Sequence, residues 1–289
     1  MANLKEIRGR ITSVGSTMQI TNAMKMVSAA KLKKAQDAIV QMRPFADKLR
    51  EIMVNVSSNL DSDLGGDYTQ VREVQNVLLI AISSNRGLAG AFNSNIIKEV
   101  NRSIKEDFAG KNVQVITIGK KVNDILGKSH NIAQNNSTLW EDFNLRNSNV
   151  IAEQVMQNFA DGHYDEVRIV YNHFKNAATQ FVMNEKFLPV SIEDQTQGGA
   201  VSEIDYIFEP NKEEILLDLI PKALKTQLFK ALLDSNASEH GARMTSMHKA
   251  TDNAEALRRD LVLLYNKERQ AAITKEILEI VGGAEALDG

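Results

Sequence analysis

Three stretches of this 289-residue chain hold residue types at spacings that could do chemistry. The first is SSNRGLAGAFN, residues 83–93, which follows an apolar run and precedes a helical pattern. A glycine-bearing turn between a strand and a helix is where phosphate-binding loops occur, because backbone amides at a helix start attract anions. Gly87 and Gly90 are present, but neither G-x-G-x-x-G nor G-K-[ST] is, and the next strand ends at Ile118, Gly119 and Lys120 without the acidic residue a ribose requires. The stretch therefore reads as a tight structural turn or, against the motif, as a nucleotide loop. The second feature is a pair of histidines, His240 and His248. They lie on one helical run but eight residues apart, which is not the spacing of two metal ligands, and no H-E-x-x-H occurs. They read as surface or interface residues. The third is a basic run: between Glu6 and Asp37 no acidic residue occurs, while Arg8, Arg10, Lys25, Lys31, Lys33 and Lys34 are all basic. This is either a solvated basic face or an electrostatic track for an acidic partner.

The bulk composition narrows the options. The chain has no cysteine, which excludes disulfides, thiolate nucleophiles and cysteine-based zinc sites. A formal net charge of -3 argues against a dedicated nucleic-acid binder. Serines, threonines and carboxylates are plentiful, yet no nucleophile and base converge at a recognisable spacing. No catalytic, cofactor-binding or metal-ligating residue is assigned, and no cofactor is expected. The start, MANLKEIRGR, lacks the apolar core of a signal peptide, and the longest purely apolar run, Val77 to Ile82, is too short to span a bilayer. A cytosolic or peripheral protein without direct membrane insertion is expected.

The elements that must position these residues begin with a helix. Asn3 and Glu6 form a capping box. From there alternating steps of three and four give Leu4, Ile7, Ile11, Val14, Met18, Thr21, Lys25, Ser28, Leu32, Ala35, Ile39, Met42, Ala46, Leu49, Met53, Val56 and Leu60, of which fourteen of seventeen are apolar. A sustained 3.5-residue period predicts a left-handed coiled coil, with Pro44 a kink at most. The exceptions Thr21, Lys25 and Ser28 fall together, so this segment is expected to touch something other than an apolar partner helix.

A polar linker from Ser58 to Glu73 ends the rod. Strands are then expected at Val74–Ile82, Val113–Ile118 and Val167–Tyr171, alternating with helices at Gly90–Phe108, Val122–Leu126 and Val150–Phe159. Only an irregular stretch is expected around Trp140. This βαβ pattern predicts a small parallel sheet with helices on its faces. Thr179–Val190 and Ile204–Phe208, joined by IEDQTQGG, read as a hairpin against it.

After Pro210, Asn211 and Glu214 form a second capping box, and Pro221 bends the first turns of a second helix. No proline interrupts Glu239–Ala286, and no glycine falls between Gly241 and Gly282. Met247, Ala250, Ala254, Leu257, Leu261 and Leu264 read as its seam, after which the frame slips near Tyr265 to Ile273, Ile277 and Ile280. The expected fold class is α/β: a long antiparallel coiled coil of the N-terminal (1–60) and C-terminal (211–289) helices with an inserted Rossmann-like domain (61–210). Rods of about 55 and about 75 residues leave an overhang of about 20 residues, or about 30 Å. Being apolar on more than one side, the overhang needs other subunits around it.

The blocks IRGRITSVGSTMQITNAMKMVSAAKLKKAQ (7–36), SNRGLAGAFNSNI (84–96), SEHGARM (238–244), ATDNA (250–254) and YNKERQAAITKEILEIVGGA (265–284) resemble those of the gamma subunit of F-type ATP synthases. The resemblance covers essentially the whole chain, although the family loop more often carries Asp, Cys and Gly at positions 85, 89 and 91. It implies a non-catalytic central rotor shaft that couples proton flow through the membrane ring to ATP synthesis or hydrolysis. The implied partners are the alpha and beta subunits of a hexamer, the epsilon subunit and the c-subunit ring. It also implies a peripheral place on the cytoplasmic face of the bacterial plasma membrane. The implied contacts with beta-subunit loops fall on Met24, Lys25, Arg243, Arg269, Gln270 and Thr274, with the basic run, including Arg8 and Arg10, facing an acidic beta loop. A coiled-coil scaffold and a nucleotide-binding α/β protein are the alternatives.

Overall fold

The computed structural model describes residues 4–57, 66–190 and 212–288. The capping residues Asn3 and Asn211, the second half of the expected hairpin (204–208), its loop and most of the linker lie outside the described residues.

Helix α1, Leu4–Ser57, runs unbroken through Pro44. The heptad seam is its inward face: Ile7, Thr21, Ser28, Leu32, Ala35 and Leu49 are buried, and Leu4, Ile11, Val14, Met18, Lys25, Ile39, Met42 and Ala46 are half-buried. Strand β1, Asn76–Ile82, leads to α2, Phe92–Arg102, which ends earlier than expected in one wide π turn, Ser103–Asp107. Then come β2, Asn112–Ile118; α3, Lys120–Leu126; β3, Asn131–Asn135; a 3-10 turn, Ser137–Trp140; α4, Leu145–Ala160; β4, Glu166–Phe174; and β5, Gln180–Leu188. Helix α5, Lys212–Asp288, is 77 residues long, about 115 Å at 1.5 Å per residue.

The sheet order is β3-β2-β1-β4-β5. The first four strands are parallel, and β5 runs antiparallel to β4. Alternation along the strands feeds two cores. Leu78, Ile80, Ile82, Ile116 and Ile118 face Ile151, Val155 and Phe159 of α4 and Leu224, Leu228 and Leu232 of α5. Val77, Leu79, Ala81 and Val115 face Ile96 and Val100 of α2 and Val122 and Leu126 of α3. Strand β3 was not expected. Its sequence NIAQN is polar because it is an edge strand of mostly exposed residues, so no apolar run announces it. The hairpin partner of β5 is β4, reached through residues 175–179.

The chain divides into two compact units, one made of α1 up to Ser28 with α5 from Met244, the other of Ala29–Arg243. In the first, Thr21 of the polar seam segment meets a polar residue of α5. Thr21 Oγ1 and Thr251 Oγ1 lie 2.8 Å apart, and Thr251 Oγ1 donates to Met247 O at 2.8 Å. A hydroxyl pair replaces the apolar contact, while Ser28 Oγ is satisfied by Met24 O at 2.7 Å. The seam of α5 also departs from expectation. From Met247 on, Met247, Ala250, Thr251, Ala254, Leu261, Tyr265, Glu268 and Ala272 are its buried or half-buried positions, so Met247, Ala250, Ala254 and Leu261 lie where expected, whereas Leu257 and Leu264 are exposed. The inward stripe keeps the 3.5-residue period through Tyr265 instead of slipping; apolar residues that fall off it mimicked a frame change. From Ile273 to Gly283 every residue is exposed, including Ile277, Leu278, Ile280 and Val281.

Candidate functional site

In a sheet of this order the connections leave β1 and β4 in opposite directions. The crevice outside their carboxyl ends is the topological switch point, where doubly wound folds bind ligands. The loop 83–93 forms one side of it. The loop's polar groups are consumed internally: Ser84 N donates to Asn93 Oδ1 at 3.0 Å, Ser84 Oγ to Arg86 O at 2.7 Å, and Asn85 Nδ2 to Ser137 O at 2.9 Å. Asn85 Oδ1 accepts from Lys120 N at 2.9 Å, and Trp140 Nε1 donates to Ser83 O at 2.8 Å. Two of the loop's carbonyls, those of Arg86 and Gly87, face α5. Arg243 of α5 donates to Arg86 O at 3.1 Å and to Gly87 O at 3.4 Å. A pair of carbonyls repels phosphate and welcomes a guanidinium, so the loop is a structural turn that seats the chain's own helix. Leu88 (φ 63) and Gly90 (φ 56) supply its left-handed positions.

Helix α5 reaches this crevice because the stripe that buries Leu224, Leu228 and Ala231 continues in phase as Ser235, Ser238 and Ala242, with Asp234, Glu239 and Arg243 beside it. These residues are buried, and most are polar. Arg243 Nη1 donates to Glu239 Oε1 at 2.5 Å, and the two side chains are 9% and 11% exposed. Burial pushes the Glu239 carboxyl above its usual range, against the opposing pull of Arg243. His240, expected at the surface or in an interface, is buried within the chain beside them. Burial, with Arg243 and Lys31 adding to it, holds its imidazole down to about 4, so the ring stays neutral next to the guanidinium. His248 is exposed, 3.4 Å from Asp252. Among the described residues no group of three potential ligands could hold a metal.

The sequence-predicted contact residues are placed unequally. Arg8 and Arg10 are exposed, Arg10 pairing with Glu6 at 2.7 Å, and Met24 and Lys25 are half-buried. Arg269, Gln270 and Thr274 are exposed on α5. Arg243 is the exception, its donors spent inside its own unit. Of the polar face at 234–243, Asp234 and Ser235 were not singled out from sequence, whereas 238–243 fell in the block SEHGARM; continuation of the apolar stripe carries the signal for the former.

The comparisons with known proteins agree with this architecture. The family model described as ATP synthase matches residues 3–287. The ATP synthase gamma chain of Christiangramia forsetii is 61% identical over 289 residues, covering all of both chains. That of Flavobacterium johnsoniae is 60% identical over 290 residues, again covering all of both. The chain belongs to the ATP synthase gamma chain family. Among solved structures, a chain of the Tetrahymena thermophila mitochondrial ATP synthase central stalk and c-ring is similar at 27% identity and TM-score 0.59, covering 80% of this chain and 99% of that one. A chain of the Euglena gracilis mitochondrial ATP synthase shares the fold at 21% identity and TM-score 0.68, covering 98% of this chain and 94% of its own. As a gamma chain it is a part of the ATP synthase complex, and among the described residues no helix is long and apolar enough to cross a membrane.

Proposed function

We propose that the chain is the central rotor shaft of an F-type ATP synthase, coupling proton flow through a membrane ring to ATP synthesis or hydrolysis at the beta subunits, and that it performs no bond chemistry itself. The observation that carries this reading is the C-terminal helix beyond Ala272, where Ile273, Ile277, Leu278, Ile280 and Val281 are all exposed on a single helix. Apolar residues on more than one side of one helix call for a sleeve, and a hexamer of alpha and beta subunits supplies one.

In this reading the functional division follows residues 1–60, 61–210 and 211–289. The two end segments are the shaft; the middle one meets the epsilon subunit and the c-ring. One asymmetric shaft presents different surfaces to three beta subunits, and only such differential contact shifts their conformations apart. The surfaces are Arg8, Arg10, Met24 and Lys25 on α1 and Arg269, Gln270 and Thr274 on α5. Arg243, which the resemblance also places at a beta loop, contributes by holding the 84–93 loop in place. The complex sits peripherally on the cytoplasmic face of the bacterial plasma membrane.

The test is co-purification of the full chain with alpha and beta subunits, followed by assays of ATP hydrolysis and of ATP-driven proton pumping in vesicles with the membrane sector. The reading expects a stoichiometric complex whose pumping depends on this chain. Pumping at the same rate in a complex lacking it would overturn the reading.

A further inference from the structure

A shaft that carries torque needs a joint at which the α/β fold grips the helix. Apolar packing serves this poorly, since it is non-directional and lets a helix roll over a smooth face. Directional bonds fix rotational phase. On α5 the buried stripe is apolar from Ile220 to Leu232 and turns polar at Asp234.

Three side chains then tie consecutive turns of α5 to the switch-point crevice. Asp234 Oδ2 lies 2.8 Å from His173 Nδ1 on β4. Ser238 Oγ donates to Asn172 O of β4 at 3.0 Å, while Asn172 Nδ2 donates to Phe92 O at the start of α2 at 3.2 Å. Arg243 holds the carbonyls of Arg86 and Gly87. Between them the helix closes on the sheet at Gly241, where a Cβ would lie 3.2 Å from Ala177 Cα and 3.3 Å from Phe174 Cε2. Ser235 Oγ, wholly buried on this face, finds no partner among the described residues, so the face carries more polarity than its packing requires.

We infer that the Asp234–His173, Ser238–Asn172 and Arg243–loop bonds form a torque-bearing joint, in which the crevice that other doubly wound folds offer to a ligand grips the chain's own C-terminal helix. Asp234 and Ser238 are positioning residues: they touch no substrate and act by fixing the angle of α5 against the sheet. The inference rests on the shaft reading above.

The experiment compares wild type, Asp234→Asn, Ser238→Ala and the double variant in the full complex reconstituted into vesicles, reading ATP hydrolysed and protons pumped in the same preparation. Each lost bond to the joint lowers the population of the seated angle by about tenfold when charged and about fivefold when neutral. The double variant is therefore expected to hydrolyse ATP at the wild-type rate with protons pumped per ATP reduced severalfold. The exchanged pair His173→Asp with Asp234→His is expected to recover pumping relative to either single change. A purely stabilising role predicts lower assembly or a lower melting point with an unchanged pumping ratio, and that result overturns the joint. The milder Asp234→Asn, which keeps size but removes the carboxylate charge from the bond to His173, is read the same way if the double variant fails to assemble. Should the wild-type chain itself support no pumping, the shaft reading fails; wild-type pumping with an unchanged ratio in an assembled variant defeats the joint alone.

Discussion

Replacing Arg243 with Met isolates the energetics at the crevice. The side chain is 9% exposed and bonds Glu239, Arg86 O and Gly87 O. Methionine fills much the same volume, so the change removes charge and donors with little loss of packing. It leaves Glu239 as a buried carboxylate without its partner and two carbonyls short of a donor. Breaking one side of a buried pair in this way costs about 3–5 kcal/mol. The stranded carboxylate escapes part of this cost by taking a proton, and its folded-state pKa is already raised by burial. An acid whose folded pKa lies above its unfolded one binds more protons when folded, so stability falls as pH rises through that window. The gap between wild type and variant should accordingly be widest near neutral pH and narrow towards pH 5. Adding Glu239→Gln removes the stranded charge, and the double variant should lose less than the sum of the singles by about 2 kcal/mol. Denaturant unfolding of the full-length chain, followed by circular dichroism across pH, measures all of these. A loss below about 1 kcal/mol for Arg243→Met, with no coupling to Glu239, would refute the assignment.

Three further outcomes follow from other contacts. His240, held down to about 4 from 6.5, stays neutral when folded while the unfolded ring takes up a proton. Stability should thus fall as pH drops from about 6.5 to about 4, by about 2–3 kcal/mol, and His240→Gln should flatten that slope in a pH series of melting curves; an unchanged slope counts against the burial. Thr21→Val or Thr251→Val alone should cost about 1 kcal/mol by removing the bond between the two hydroxyls and setting a methyl against the one that stays, whereas the double change restores near-wild-type unfolding; simple additivity would mean the pair is not coupled. Gly241→Ala gains about 1 kcal/mol of helix propensity, yet its Cβ meets Ala177 Cα at 3.2 Å, so a lowered melting temperature is expected and a raised one would deny the close approach.

What could be read from sequence followed the strength of the periodic signal. The α1 seam stood out because its 3.5-residue period is long and mostly apolar, and Thr21 marked where it turns polar. The central parallel strands showed as branched apolar runs because both their faces are covered. Strand β3 was invisible for the opposite reason: an edge strand with exposed polar residues looks like a loop. On α5, Leu257 and Leu264 misled because an apolar residue on a long helix need not face its partner. The contents of the crevice were the hardest to see. Asp234, Ser238 and Arg243 contact residues some 60 to 160 positions away, and no local pattern encodes such partners. The loop at 83–93 could be recognised as a turn, but that two of its carbonyls accept from Arg243 is a matter of backbone geometry.

The central claim is that this chain turns inside a ring of other subunits. Because it contains no cysteine, a single cysteine introduced at exposed Lys111 gives a unique attachment point on the α/β fold. A visible marker fixed there, on a complex with alpha and beta subunits held to a surface, reports rotation of this fold directly. The account predicts unidirectional rotation that starts with ATP and stops without it. A stationary marker on a complex that continues to hydrolyse ATP would contradict it.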